Sequence, residues 1–217
     1  MKLAVCLLTA DRPAYTAETV LGYLNHAESP AHILLHADDG SVKRDNLEIA
    51  TAAGFETVYT TQARVGQLSA VRYMWNAALN RGATHILHLE NDQRFVAALP
   101  RWLPLALVRF DCVRLYGDKR MEHGPRQRTG QHIMGTKEPI DWQFQFQDAS
   151  GSWLGASAHW GGQASITNAA LLCAAANEAA RFKDLSLGRL QRIQTLRPER
   201  TIVWHIGHTQ TDDFKTC

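Results

Sequence analysis

Gly82-Ala83-Thr84-His85-Ile86-Leu87-His88-Leu89-Glu90-Asn91-Asp92-Gln93-Arg94 decides how this chain is read. The apolar run at 86–89 stops abruptly at Glu90-Asn91-Asp92. This pattern predicts a buried strand that delivers acidic groups to one end of a sheet. Side chains alternate along a strand, so Glu90 and Asp92 are expected on the same side. Mg²⁺ is held by one or two carboxylates together with phosphate oxygens. The stretch therefore reads as a metal–nucleotide site, with a solvated strand end as the plain alternative.

Outward from it, the first half alternates strand-like and helix-like patterns. Strands are predicted at 3–8, 33–37, 56–61 and 112–115. A helix starts at Pro13, where the missing N–H costs nothing, and runs to about Leu24. Ser41 is expected to cap a second helix reaching about Ala53. Leu68, Val71, Trp75 and Ala78 recur at helical spacing before Gly82. Pro100 opens a further apolar helix. Such β-α-β alternation argues for a mostly parallel, doubly wound α/β sheet that binds ligands beyond the carboxyl ends of its strands. Asp38, Asp39 and Asp92 fall at such ends.

The second half is less regular. Residues 118–139 read as loop and 142–146 as an edge or antiparallel strand. Asn168 caps an alanine-rich helix to about Ala180. A helix is expected from Asp184 to about Leu196, and a short strand at 201–204 precedes His205-Ile-Gly-His208. There is no internal repeat and no clear linker. The expectation is one domain over 1–217, with a nucleotide-binding half (1–117) and an acceptor-side half (118–217).

Composition narrows the class. The 217 residues carry a net charge of +2, too little to demand a polyanionic partner. No apolar run approaches the ~18 residues of a membrane span. Cys6, Cys112, Cys173 and Cys217 are scattered without CxxC spacing, as in a reduced cytoplasmic protein. The basic, His-bearing stretch 118–132 is either a solvated surface loop or a lid that contacts phosphate. Trp153, His159 and Trp160 either stack on a sugar or pack in the core.

Taken in order, these segments resemble the GT-A glycosyltransferases, and glycosyltransferase family 2 in particular, over nearly the whole length. Thr9, Arg12 and Pro13 are similar to the family's opening strand and nucleobase loop, with Leu8 in place of a usual proline. Ala37-Asp38-Asp39-Gly40-Ser41 resembles its Val-Asp-Asp-Gly-Ser, which implies base or ribose contacts from Asp39 first and Asp38 second. Gly66, Arg72, Asn76 and Ala77 resemble the helix beside the nucleotide. Glu90-Asn91-Asp92 stands where the family has Asp-x-Asp, which implies Asp92 as metal ligand and Glu90 at the donor. Gly161 and Gly162, with Trp160, resemble the segment near the donor sugar. Lys183-Asp184-Leu185…Arg189-Leu190 resembles Glu-Asp-x-x-Leu-x-x-Arg-Leu, which implies Asp184 as general base; Lys183 replaces an acid. Val203 to His208 resembles the C-terminal strand that closes on the metal, through His205 or His208.

The resemblance implies a Rossmann-like GT-A enzyme that transfers a sugar from a nucleotide-sugar, a UDP-sugar by preference, to a hydroxyl. A divalent cation would act as Lewis acid on the leaving diphosphate. A mixed Asp/His site suits Mn²⁺ somewhat better than Mg²⁺. A carboxylate base opposite the leaving group implies inversion. The acceptor stays open: a glycan, a small molecule, a protein side chain, or a hydroxymethylated base in viral DNA. Two other readings remain, a nucleotidyltransferase on a similar sheet and a non-catalytic nucleotide-sugar or glycan binder. The first would want a Gly-rich loop after strand one, and residues 9–13 contain no glycine.

Overall fold

A computed structural model describes residues 1–27, 33–116, 143–149, 151–158, 164–182 and 193–206, with the backbone alone at 158, 180–182 and 205. The first unit is strand β1 (Leu3–Thr9), helix α1 (Pro13–His26), β2 (Ile33–Asp38), α2 (Asp45–Ala52), β3 (Glu56–Thr60), α3 (Gln67–Asn80) and β4 (His85–Glu90). After it come β5 (Gln93–Phe95), a single turn α4 (Leu103–Ala106) and β6 (Cys112–Arg114). The last elements are β7 (Gln143–Asp148), β8 (Gly151–Ala158), β9 (Ser165–Asn168), α5 (Ala169–Phe182), β10 (Ile193–Pro198) and β11 (Val203–His205).

Nine strands form one sheet in the order β3-β2-β1-β4-β9-β6-β10-β8-β7. The pairings make every strand run the same way except β8 and β9. Strands from both halves of the chain share this sheet. Alternation along β1 explains the layers. Ala4, Cys6 and Leu8 pack with Ile86 beneath α3 and α5. Val5 and Leu7 face the other way, with Leu87 and Leu89, onto Val20 and Tyr23 of α1 and Leu103 and Ala106 of α4. On α3 the apolar spacing buries Ala70, Val71, Met74, Trp75 and Ala78 in one stripe.

This order sets the site. From β1 the chain moves outward through β2 and β3, then returns to place β4 on the other side of β1. The carboxyl ends of β1 and β4 therefore flank a topological switch point, where open α/β sheets bind ligands.

Three expectations change. Residues 193–196 form strand, because β10 fills the space between β6 and β8 and buries Ile193, Thr195 and Leu196 there. The helix opened by Pro100 shrinks to one turn. Ser41 does not cap α2, which begins at Asp45; its hydroxyl is spent on Asp38. Trp153 is fully buried in the core, stacked with Phe146. By contrast, Asn168 caps α5 as expected, its side chain accepting from the N–H groups of Ala170 and Leu171. Among the described residues, no helix is long and apolar enough to cross a membrane.

Candidate functional site

Register brings the acids together. Thr9 pairs with Asp38, and Leu8 pairs with Glu90, so the ends of β1, β2 and β4 lie in one row.

Asp38 and Asp39 divide the work. Asp38 accepts the Ser41 N–H at 2.8 Å on Oδ1, and the Thr9 and Ser41 hydroxyls at 2.6 Å on Oδ2. Both of its oxygens are committed to closing the turn. Asp39 is buried as well, but it accepts only the Val65 N–H, at 3.0 Å on Oδ1. Its Oδ2 has no hydrogen-bond partner among the described residues. Beside it, the Tyr59 hydroxyl has its pKa raised by burial and by the Asp39 charge, and its ring lies 5.5 Å from that of Tyr73. Next in the chain after β3, the Thr61 hydroxyl is buried without a hydrogen-bond partner among the described residues.

Thr9 is held from behind by a residue that the sequence pattern did not single out. His36 is fully buried, and its Nε2 lies 2.8 Å from Thr9 Oγ1. Thr9 already donates its proton to Asp38, so it can only accept from His36. Donor accounting thus assigns the proton to Nε2, and Nδ1 accepts from the Thr57 hydroxyl at 2.9 Å. Burial lowers the His36 pKa to about 4, partly opposed by Asp38, which keeps the ring neutral. The only sequence signal was a histidine inside an apolar strand.

The loop between β1 and α1 ties these turns to β4. Asp11 and Arg12 both adopt left-handed backbone, with φ of 52° and 56°. The Asp11 N–H donates to Ser41 Oγ at 2.7 Å, and its carboxylate accepts from Val42 N–H and from Arg64. Its carbonyl accepts from the side-chain amides of Asn46 and Asn91. This arrangement aims Arg12 across the switch point, where its guanidinium meets Asp92 Oδ2 at 3.1 Å.

Glu90 and Asp92 do not follow simple alternation, because the chain turns at 91–92. Glu90 accepts from the Gln67 amide at the start of α3, on one face of the sheet. Asp92 reaches Arg12 at the start of α1, which packs on the other face. The backbone of the C-terminal strand comes alongside. β11 pairs antiparallel with β5, His205 is the cross-strand neighbour of Gln93, and the Ile206 N–H donates to the Asp92 carbonyl at 2.8 Å.

Arg72 stands exposed on α3, with no contact to these acids among the described residues. Trp160, Gly161, Gly162, Asp184 and His208, and the stretch 118–132, lie outside the described residues. Among the described residues, no cluster of three His, Cys, Asp or Glu is assembled.

No family model and no curated protein matches this sequence. Solved structures do. The structure of Staphylococcus aureus TarS residues 1–349 superposes with a TM-score of 0.56 at 14% identity, over 94% of this chain and 60% of that one. A second structure of S. aureus TarS gives 0.55 at 13% identity, over 94% of this chain and 36% of that one. Mannose-1-phosphate geranyltransferase from Thermus thermophilus gives 0.50 at 14%, over 95% and 77%. The chain thus spans less than two thirds of the TarS chains it matches. At these identities the likeness speaks to architecture, and with the strand order described above it gives the chain a GT-A-like fold, a large, mostly parallel sheet between helical layers.

Proposed function

We propose that this chain is a glycosyltransferase that moves a sugar from a nucleoside-diphosphate sugar, a UDP-sugar by preference, to a hydroxyl acceptor. One observation carries the reading: Asp39 and Asp92 follow the ends of β2 and β4, the two strands beside β1, and Arg12 from the β1–α1 loop reaches Asp92 across the switch point. A ribose or base needs an acceptor with a spare oxygen, and Asp39 has one. A diphosphate needs a donor fork, and the Arg12 guanidinium matches phosphate geometry bidentately.

The residues present fit a divalent ion, Mn²⁺ or Mg²⁺. Asp92 offers a largely buried carboxylate at the crevice, and the strand that carries His205 is paired alongside it. One or two carboxylates suffice when phosphate oxygens and water complete the shell. Bound there, the ion would neutralise charge developing on the leaving diphosphate. His205 or His208 would share it with Asp92. In this reading Trp160, Gly161 and Gly162 border the sugar, and Asp184 removes the acceptor proton, so transfer inverts the anomeric carbon. A hydroxymethylated DNA base is one acceptor of the right chemistry, with the basic stretch 118–132 as its phosphate contact. The free, buried thiols of Cys6, Cys112 and Cys173 suit a reducing, cytoplasmic setting.

The test is a thermal-shift panel of UDP, GDP, CDP and ADP and their common sugars, each with Mn²⁺ and with EDTA. A ligand that binds only the folded state raises the melting temperature. Stabilisation by one nucleotide class, dependent on metal and lost in Asp39→Asn, is the expected result. No shift with any nucleotide would overturn the reading.

A further inference from the structure

The Asp92 side chain is only 9% exposed, whereas that of Arg12 is 44% exposed. A carboxylate so far out of water needs a counter-charge, and losing it leaves a costly uncompensated ion. Here the chain supplies its own, 3.1 Å away. Both backbones are pinned. Arg12 follows Asp11, whose N–H, carbonyl and carboxylate are all bonded to Ser41, Val42, Asn46, Arg64 and Asn91. Asp92 is held by its carbonyl on Ile206, and its neighbour Asn91 by the hydroxyl of Thr19. With the backbones held, the two charges can separate by rotation of the long Arg12 side chain, which is 44% exposed.

We propose that Arg12 is a displaceable counter-ion, competing with a divalent cation for Asp92. The inference rests on the reading of Asp92 as a cation ligand, but not on which nucleotide or acceptor the site takes. A guanidinium and a divalent ion cannot both sit against one carboxylate without strong repulsion. Arg12 thus offsets the Asp92 charge and weakens metal binding on its own. An anionic ligand that accepts the guanidinium would relieve the competition, which couples metal loading to ligand arrival.

The experiment titrates Mn²⁺ alone into the full chain, following the free aqueous ion by electron paramagnetic resonance. Arg12→Asn is the informative variant, because asparagine tolerates the left-handed backbone and carries no charge. An adjacent opposite charge changes a carboxylate's affinity for a proton by about ten- to a thousandfold. On that scale Arg12→Asn should bind Mn²⁺ at least about tenfold more tightly than the wild type. Arg12→Lys, which keeps the charge, should stay close to the wild type, and Asp92→Asn should lose the site in either background. Circular dichroism confirms folding of each variant. Equal or weaker Mn²⁺ binding by Arg12→Asn, or Mn²⁺ binding that survives Asp92→Asn unchanged, overturns the proposal. Failure of every nucleotide to bind the wild type would count against the donor-site reading while leaving the Mn²⁺ comparison intact.

Discussion

Gly40 occupies a position that no other residue fits. Its φ is 74°, and a Cβ there would lie 2.4 Å from both the Ala63 carbonyl carbon and the Arg64 nitrogen. Those are backbone atoms, which give way only if the whole loop moves. Gly40→Ala should push the 61–66 loop away, detach Val65 from Asp39 and cost about 1–3 kcal/mol, measurable by urea unfolding. The two adjacent aspartates should separate cleanly by their hydrogen bonds. Asp38 accepts three, so Asp38→Asn is expected to lose about 1.5–3 kcal/mol of stability. Asp39 accepts one, so Asp39→Asn should melt close to the wild type and lose nucleotide affinity by calorimetric titration. The Asp-Asp-Gly-Ser pattern announces a turn with acids in it. Which acid is spent internally depends on Thr9, 29 residues away in the chain.

Among the elements, helix ends divide sharply between local and tertiary support. Asn168 bonds two N–H groups of the first turn of α5, so Asn168→Ala should cost about 1 kcal/mol in chemical denaturation. At α1 no side chain caps the helix; Arg12 enters in left-handed backbone held by the surrounding loops. Periodicity predicted β1 to β4 and the intervening helices because each carries its own apolar face. It failed at β10, where Ile193, Thr195 and Leu196 are buried in a strand once β6 and β8 stand on either side. A short apolar run does not state its partners, and strands are stabilised by neighbours distant in sequence.

For the whole molecule, two buried histidines set a pH limit. Burial lowers the pKa of both His36 and His88 from 6.5 to about 4. Above pH 6.5 neither state takes up the proton, and full stability is present. Between 6.5 and 4 the unfolded chain is protonated and the folded chain is not, so stability falls by about 1.4 kcal/mol per pH unit for each histidine. Below about 4 both states bind the proton and this loss saturates. Urea midpoints should therefore decline from pH 7 to pH 5, before most carboxylates titrate. His36→Gln combined with His88→Leu should flatten that slope while altering the midpoint at pH 7.5 by a different, packing-dependent amount; an unchanged slope would mean that the histidines are not its cause.

The sequence by itself determined the alternation of strands and helices through residue 90 and the presence of acids at strand ends, because side-chain period and turn chemistry are local. The resemblance of its segments to a known family then pointed to the architecture that the superpositions bear out. Only the tertiary structure decided that Asp38 is consumed and Asp39 has a spare oxygen, that Glu90 and Asp92 engage helices on opposite faces, and that Arg12 neutralises Asp92. The physical reason is distance along the chain. Arg12 and Asp92 are 80 residues apart, and Thr9 and His36 are 27 apart. A charge or hydroxyl takes its role from whichever partner the sheet order brings within hydrogen-bonding distance, and that order is a property of the packed molecule.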